Sequence, residues 1–269
     1  MQNRKTDRRV WMGIGAGLIL AGLGSGCGDK QHILTVAGST AFHATAVELA
    51  NRYSELHPEV TVAAQAIGSA AGREAVLSGA ADIGTIDAAG WAGSPTGMVG
   101  TVVALDAIAV IVQPDNPVMD LSAVQVRDIV AGRIRNWAEV GGRDHAINRI
   151  LREEGSGTRR IFEACLGIPG SEGNVVIADS NGSVREMVAN DVHAIGYISR
   201  GSLTGRVRAV SIDGESCTDD RIRSKQYVLA HPMVMVTRPE PSEKARDFIR
   251  FVLSNEGQDL VRRGGFVAP

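Results

Sequence analysis

Short apolar runs alternate along this chain with amphipathic stretches at helical spacing, and several runs close on glycine and small hydroxyl residues. Ile33 to Ala37 predicts a strand; after Gly38-Ser39-Thr40-Ala41-Phe42, residues Ala46, Leu49, Ala50, Tyr53 and Leu56 mark one face of a helix. Val60 to Ala64 predicts a second strand, leading through Gly68-Ser69-Ala70-Ala71-Gly72 into a short helix that stops near Ser78-Gly79. A buried strand over Ala81-Asp82-Ile83-Gly84 ends at Thr85-Ile86-Asp87. Farther on, an apolar strand through Val112 meets the turn cluster Pro114-Asp115-Asn116-Pro117, and Ile147 to Leu151 predicts a strand with a helix from Ile161 to Leu166. Ser122 with Gln125 and Ser183 with Glu186 read as capping boxes, and Gly132 as a helix stop. Tyr227 to Val236 predicts a late strand, Ser242 caps a helix carrying Phe248, Ile249 and Val252, and Asn255 with Gln258 starts another. Strands alternating with amphipathic helices predict an α/β fold with largely parallel sheets and no solenoid-length repeat.

The candidate chemistry concentrates in Arg152-Glu153-Glu154-Gly155-Ser156-Gly157-Thr158-Arg159. A strand feeds a glycine-containing turn and then a helix whose first N–H groups have no intrahelical partner and carry the positive end of the peptide dipoles. Ser156 and Thr158 add hydroxyls, and the Arg152 guanidinium matches two oxygens of a tetrahedral oxyanion. Alone, the octapeptide reads equally well as a helix capped by Ser156 beside a solvated arginine. The same strand, small polar turn and helix recur at Ser39 and Ser69, and Asp87 stands at a strand end, so several helix N-termini are expected to converge on one small anion.

Taken in order, these segments resemble the PstS-type phosphate-binding proteins of ABC importers over nearly the whole chain after its N-terminal segment. The resemblance lies in Ala37-Gly38-Ser39-Thr40, Gly68-Ser69-Ala70-Ala71-Gly72, Ala81-Asp82-Ile83-Gly84 and the apolar run from Asp106 to Pro117. It continues in Gly132-Arg133-Ile134-Arg135-Asn136-Trp137, in the Arg152 to Thr158 cradle, and in Ala194-Ile195-Gly196-Tyr197-Ile198-Ser199. It implies a two-lobed periplasmic-binding-protein fold of type II with a hinge between the lobes. Residues 28–113 and 227–269 are expected to build one lobe and residues 114–226 the other. The implied ligand is inorganic phosphate, and the implied partners are the permease subunits of an ABC transporter; a monomer without cofactor or metal is expected.

By position, Ser39, Thr40, Ala41 and Phe42 fall on the first anion loop, Ser69 on the second, and Arg152, Ser156, Gly157 and Thr158 on the cradle of the other lobe. Asp87 falls on the acceptor of the ligand's proton. The chain departs from many members by placing Ala41 where some carry threonine and Ile86 where a small polar residue is common. An ionised Asp87 would select hydrogen phosphate, which has a proton to donate, over sulfate, which has none; facing sulfate it would cost at least the ~1–3 kcal/mol of an unmade buried hydrogen bond. Glu154 is expected to orient Arg152 or brace the loop, or else to be an exposed acid beside Glu153; Trp91 and Trp137 read as core anchors.

Composition narrows the alternatives. A net charge of -2 offers no global attraction for anions, so local dipoles and Arg152 must supply it, and aromatic residues at 4% give no platform for nucleic acid. Arg4, Lys5, Arg8 and Arg9 precede the apolar run Trp11 to Leu23, which is short for a membrane span and reads as a signal peptide over 1–27. Gly24-Ser25-Gly26-Cys27 resembles a lipoprotein cleavage site, although Leu23 lies one place farther from the cysteine than usual; Cys27 is the expected lipid attachment, placing the protein in the periplasm or on the cell surface, lipid-anchored to the membrane. A plain secretory signal or an uncleaved anchor is the alternative. Cys165 and Cys217 either form a disulfide or remain a helix cysteine and a loop cysteine, and the six histidines show no zinc spacing. Gly155-Ser156-Gly157 lacks the flanking glycines of a nucleophile elbow and there is no P-loop lysine motif, so no enzyme is expected. The competing functions are a receptor for sulfate, molybdate or tungstate, a phosphate-ester hydrolase, and a sensor or adhesin that kept the fold.

Overall fold

A computed structural model of the chain describes residues 32–88, 97–168, 170 and 173–269. The expected signal peptide, Cys27 and Trp91 lie outside them. The first segment runs β1 (His32–Gly38), α1 (His43–Leu56), β2 (Val60–Ala66), α2 (Ser69–Ser78), β3 (Ile83–Asp87) and β4 (Val99–Val112). The middle segment holds β5 (Asp120–Leu121), α3 (Ala123–Ala131), β6 (Asn148–Arg152), α4 (Gly157–Leu166) and β7 (Val176–Ala178). It continues through α5 (Asn181–Ala189), β8 (Ala194–Ser199), β9 (Arg208–Ala209), β10 (Ser211–Ile212) and α6 (Asp219–Arg223). Last come β11 (Ala230–Thr237), α7 (Glu243–Leu253) and α8 (Asn255–Arg263).

The expected α/β alternation is present, but the sheet is mixed. Its order is β2-β1-β3-β11-β4-β8-β6-β7. β1 runs parallel to β2 and β3, and β6 parallel to β7 and β8, as helical crossovers require. The antiparallel pairs lie in the middle, because β11 inserts between β3 and β4. β4 pairs with β11 as far as Ala107 and with β8 from Ile108 onward, so one strand carries two half-sheets.

Each half-sheet has its own core. Leu34, Phe42, Leu49, Tyr53, Met233 and Phe248 cluster on the first, and Val110, Leu121, Trp137, Phe162 and Tyr197 on the second. Trp137 is the predicted anchor: it is fully buried in a short 3-10 turn and its indole N–H donates to the His193 carbonyl at 2.8 Å. Helix signals held in part. Ser122 and Gln125 form a complete capping box, Gly132 ends α3 in the left-handed region, and Ser242 caps α7. The Ser183–Glu186 and Asn255–Gln258 readings were displaced: Ser180 and Ser254 are the caps, accepting from the N–H groups of Ser183 and Gly257. Leu56, placed on the buried face of α1, is 44% exposed, because that face ends at Tyr53. Cys165 and Cys217 are free thiols, and burial pushes the Cys217 thiol up to about 12.

Backbone crowding fixes where the first two loops meet. Gly38 sits at φ +151° against the Thr85 backbone, and a Cβ on Gly72 would fall 2.5 Å from the Gly38 Cα. α2 therefore crosses the end of β1 at backbone distance, which brings Ser69 beside the ends of β1 and β3.

Candidate functional site

The ends of β1 and β3 and the start of α2 form one side of the site. The Ser39 N–H donates to the Thr85 carbonyl at 2.8 Å, tying the turn after β1 to β3. The Ser39 hydroxyl lies 3.0 and 3.2 Å from the two Asp87 carboxylate oxygens, and the Ser69 hydroxyl donates to Oδ2 at 3.1 Å. Asp87 is 5% exposed, and its own N–H points at the Ser69 hydroxyl 3.3 Å away. Strand alternation directs Thr85 and Asp87 to the site and Ile86 to the opposite face. There Ile86 packs with Ala37, Val76 and Val234, so a hydrophobic residue at that position does not intrude on the polar groups.

The end of β6 and the start of α4 form the other side. Arg152 is 1% exposed. Its Nε and Nη2 donate to the two Glu153 carboxylate oxygens at 2.9 Å each, a bidentate pair that fixes the guanidinium plane. Glu153 orients the arginine, and Glu154 follows its alternative reading as an exposed acid beside it. The turn closes through a Ser156 N–H to Glu153 carbonyl bond at 3.1 Å, which leaves Glu154 at its tip. Nη1 of Arg152 is buried and has no partner among the described residues. An arginine donor buried without an acceptor costs on the order of 1–3 kcal/mol or more. Ser156 does cap α4, its hydroxyl accepting from the Arg159 N–H at 3.2 Å, and Thr158 is buried in the first turn. The Tyr197 hydroxyl, held neutral by burial, accepts from the Arg152 N–H at 3.3 Å.

Two contacts join these sides. The Thr40 hydroxyl accepts from Arg152 Nη2 at 3.4 Å and from Asn181 Nδ2 at 3.2 Å. With both lone pairs engaged, its proton is left to donate elsewhere. Gly157 lies so close to the first side that an added Cβ would fall 2.5 Å from Asp87 Oδ2 and closer still to the Ser69 hydroxyl. Gly157→Ala should therefore hold the two sides apart. Overpacking costs of about 1–3 kcal/mol correspond to a loss of roughly 5- to 150-fold in anion affinity, measurable by titration calorimetry beside wild type.

Ser39, Thr40, Ser69, Asp87, Arg152, Ser156, Gly157 and Thr158 are thus brought together at one junction. Ala41 is buried there with its N–H bonded to the Ser39 hydroxyl at 3.2 Å, and Phe42 begins α1 with its ring in the first core. Three residues escaped the sequence reading. Asn181, the first residue of α5, is 1% exposed and accepts from the Ser199 N–H at 2.8 Å while reaching Thr40. Behind Asp87 lie Asp106 and His231, both buried; one ligating atom of each of the three lies within 4.8 Å of the others. A cleft of about 510 Å³ opens at Thr40 and Ala41, lined also by Arg185, Arg200 and Arg263.

Together these groups set a buried arginine donor, helix N-termini and a buried carboxylate at one junction, an arrangement chemically suited to a small protonated oxyanion. Comparison with known proteins points the same way. The family described as PBP superfamily domain matches residues 24–256. The phosphate-binding protein PstS of Bacillus subtilis is 31% identical over 87% of this chain and 80% of its own, and that of Borreliella burgdorferi 28% over 89% and 91%. A phosphate ABC transporter substrate-binding protein of Clostridium perfringens, solved with bound phosphate, is 32% identical at a TM-score of 0.84, covering 88% of this chain and all of its own. An ABC-type phosphate transport receptor of Vibrio cholerae is 30% identical at 0.74, with the same coverage.

Proposed function

The chain belongs to the PstS family of phosphate-binding proteins within the PBP superfamily, and from that premise we propose that it captures inorganic phosphate between its two sides and delivers it to an ABC permease outside the cytoplasm. Its fold is the two-lobed periplasmic-binding-protein fold. The expected lobes are residues 28–113 with 227–269 and residues 114–226; the change of partners along β4 between Ala107 and Ile108 favours a first crossing inside that strand, ahead of Pro114.

One observation carries the ligand assignment. Arg152 holds Thr40 and Asp87 holds Ser39, the adjacent residue of the same turn, so a free cationic donor and a buried carboxylate flank one position. Arg152 Nη1, the Thr40 hydroxyl and the N-terminus of α4 serve the anionic oxygens. Ser39 and Ser69 now bond Asp87 and turn to the ligand when it enters, while Asp87 accepts the ligand's proton. Titration calorimetry is expected to give one phosphate per chain, with sulfate weaker by at least the ~1–3 kcal/mol, or roughly 5- to 150-fold, of an acceptor facing an acceptor. Heat from sulfate with none from phosphate would refute the assignment.

Among the described residues no helix is long and apolar enough to cross a membrane. Anchoring is assigned to a lipid on Cys27 after removal of residues 1–26. Wild-type protein should take up labelled fatty acid in cells and Cys27→Ser should take up none; an unlabelled wild type would leave a plain secretory signal or an uncleaved anchor.

A further inference from the structure

The buried group behind the site contains a histidine whose role the anion contacts do not use. His231 on β11 is the register partner of Asp106 on β4. Nδ1 of His231 lies 3.2 Å from the Leu229 carbonyl, which can only accept, so Nδ1 carries the proton of that bond and Nε2 faces the acids. Nε2 is buried without a partner among the described residues, 3.9 Å from Asp106 Oδ2. A neutral ring would aim a lone pair at a carboxylate; an imidazolium would aim a proton at it.

Two donors and the ring edge converge on the Asp106 carboxylate. The Ala107 N–H donates to Asp106 Oδ1 at 2.7 Å and the Ser199 hydroxyl donates to Oδ2. Burial, with the Asp87 charge added, holds the Asp106 carboxyl above its ordinary range, while His231 and Ser199 pull it down. The other titratable groups facing Asp106 are the Cys217 thiol, raised by burial to about 12, and the Tyr227 phenol beside it, raised further; Arg200 next to Cys217 is paired with Asp219. The two acids therefore share His231 as their near base, and Glu153 already neutralises Arg152. A phosphate dianion entering here adds two negative charges beside two buried acids.

We propose that His231, paired with Asp106, is a buried proton site that fills when the anion binds, so that phosphate capture takes up a proton from solvent. The step is a transfer from a solvent or buffer acid to the Nε2 lone pair, forming the imidazolium and leaving the conjugate base. It rests on the phosphate reading of the site. By linkage, the bound form holds more protons than the free form, so affinity rises as pH falls; one whole proton corresponds to about tenfold per pH unit.

Phosphate is titrated calorimetrically into the full protein in two buffers of different ionisation enthalpy, at a mildly alkaline pH where phosphate is already the dianion. Wild type is expected to take up about one proton more per anion than His231→Gln or His231→Tyr. In wild type labelled with ¹⁵N-histidine, one ring should move from the neutral to the imidazolium pattern on adding phosphate, and this holds whether or not the variants fold. Equal proton uptake in wild type and folded variants would overturn the proposal, as would a His231 ring that stays neutral in the complex, or a stoichiometric metal ion in the purified protein. Failure of wild type to bind phosphate in either buffer would overturn the phosphate reading and this proposal with it.

Discussion

Replacing Arg152 by alanine is expected to lower phosphate affinity roughly 30- to 5,000-fold, the range set by the ~2–5 kcal/mol cost of truncating one partner of a buried charged contact. The argument rests on burial and on the unpartnered Nη1. Nε and one edge of Nη2 are committed to Glu153, so the change removes a prealigned donor, not a side chain that must first be ordered. Sulfate affinity should fall with it, because the fork reads charge and geometry, not a proton. Arg152→Lys keeps the charge but cannot pair Glu153 on two oxygens and still reach Thr40, so it should recover only part of the loss. Calorimetric titration with both anions checks this; Arg152→Ala within threefold of wild type, correctly folded, would remove the arginine from the binding role.

Asp87→Asn acts on the ratio of affinities. The amide retains an acceptor for the Ser39 or Ser69 hydroxyl but offers two N–H donors where the carboxylate offered none. Phosphate loses the acceptor of its proton, while sulfate meets a donor in place of a like charge. The phosphate-to-sulfate ratio is expected to fall by roughly 5- to 150-fold, as the ~1–3 kcal/mol mismatch that disfavours sulfate is removed. A folding defect would lower both affinities together, and equal proportional losses in a folded variant would make Asp87 structural.

What could be read before the structure was local. Ser39, Ser69, Gly157 and Thr158 stand in short strand-turn-helix signatures, and Asp87 closes an apolar strand, so residue type and position sufficed. The orienting acid was misassigned because Glu153 and Glu154 differ only in how the turn after Arg152 folds, which composition does not encode. Asn181 was hidden by a three-residue error in the start of α5, since Ser180 and Ser183 are equally good cap residues on paper. Asp106 and His231 meet only through the antiparallel register of β4 with β11, a pairing between distant segments that no local pattern specifies. The mixed sheet was missed for the same reason.

The position of β11 also has a consequence for when the protein becomes competent. Because β11 is the shared neighbour of β3 and β4, the strands bearing Asp87 and Asp106 have no completed sheet around them until that late segment emerges. The first half waits on sequence made after the second half has been synthesised in full. A chain that ends before β11 already carries both Asp87 and Arg152, but β3 then pairs only with β1 and lacks the neighbour that completes the sheet around Asp87. A nascent or truncated polypeptide therefore holds the residues of the site without the sheet that sets their positions.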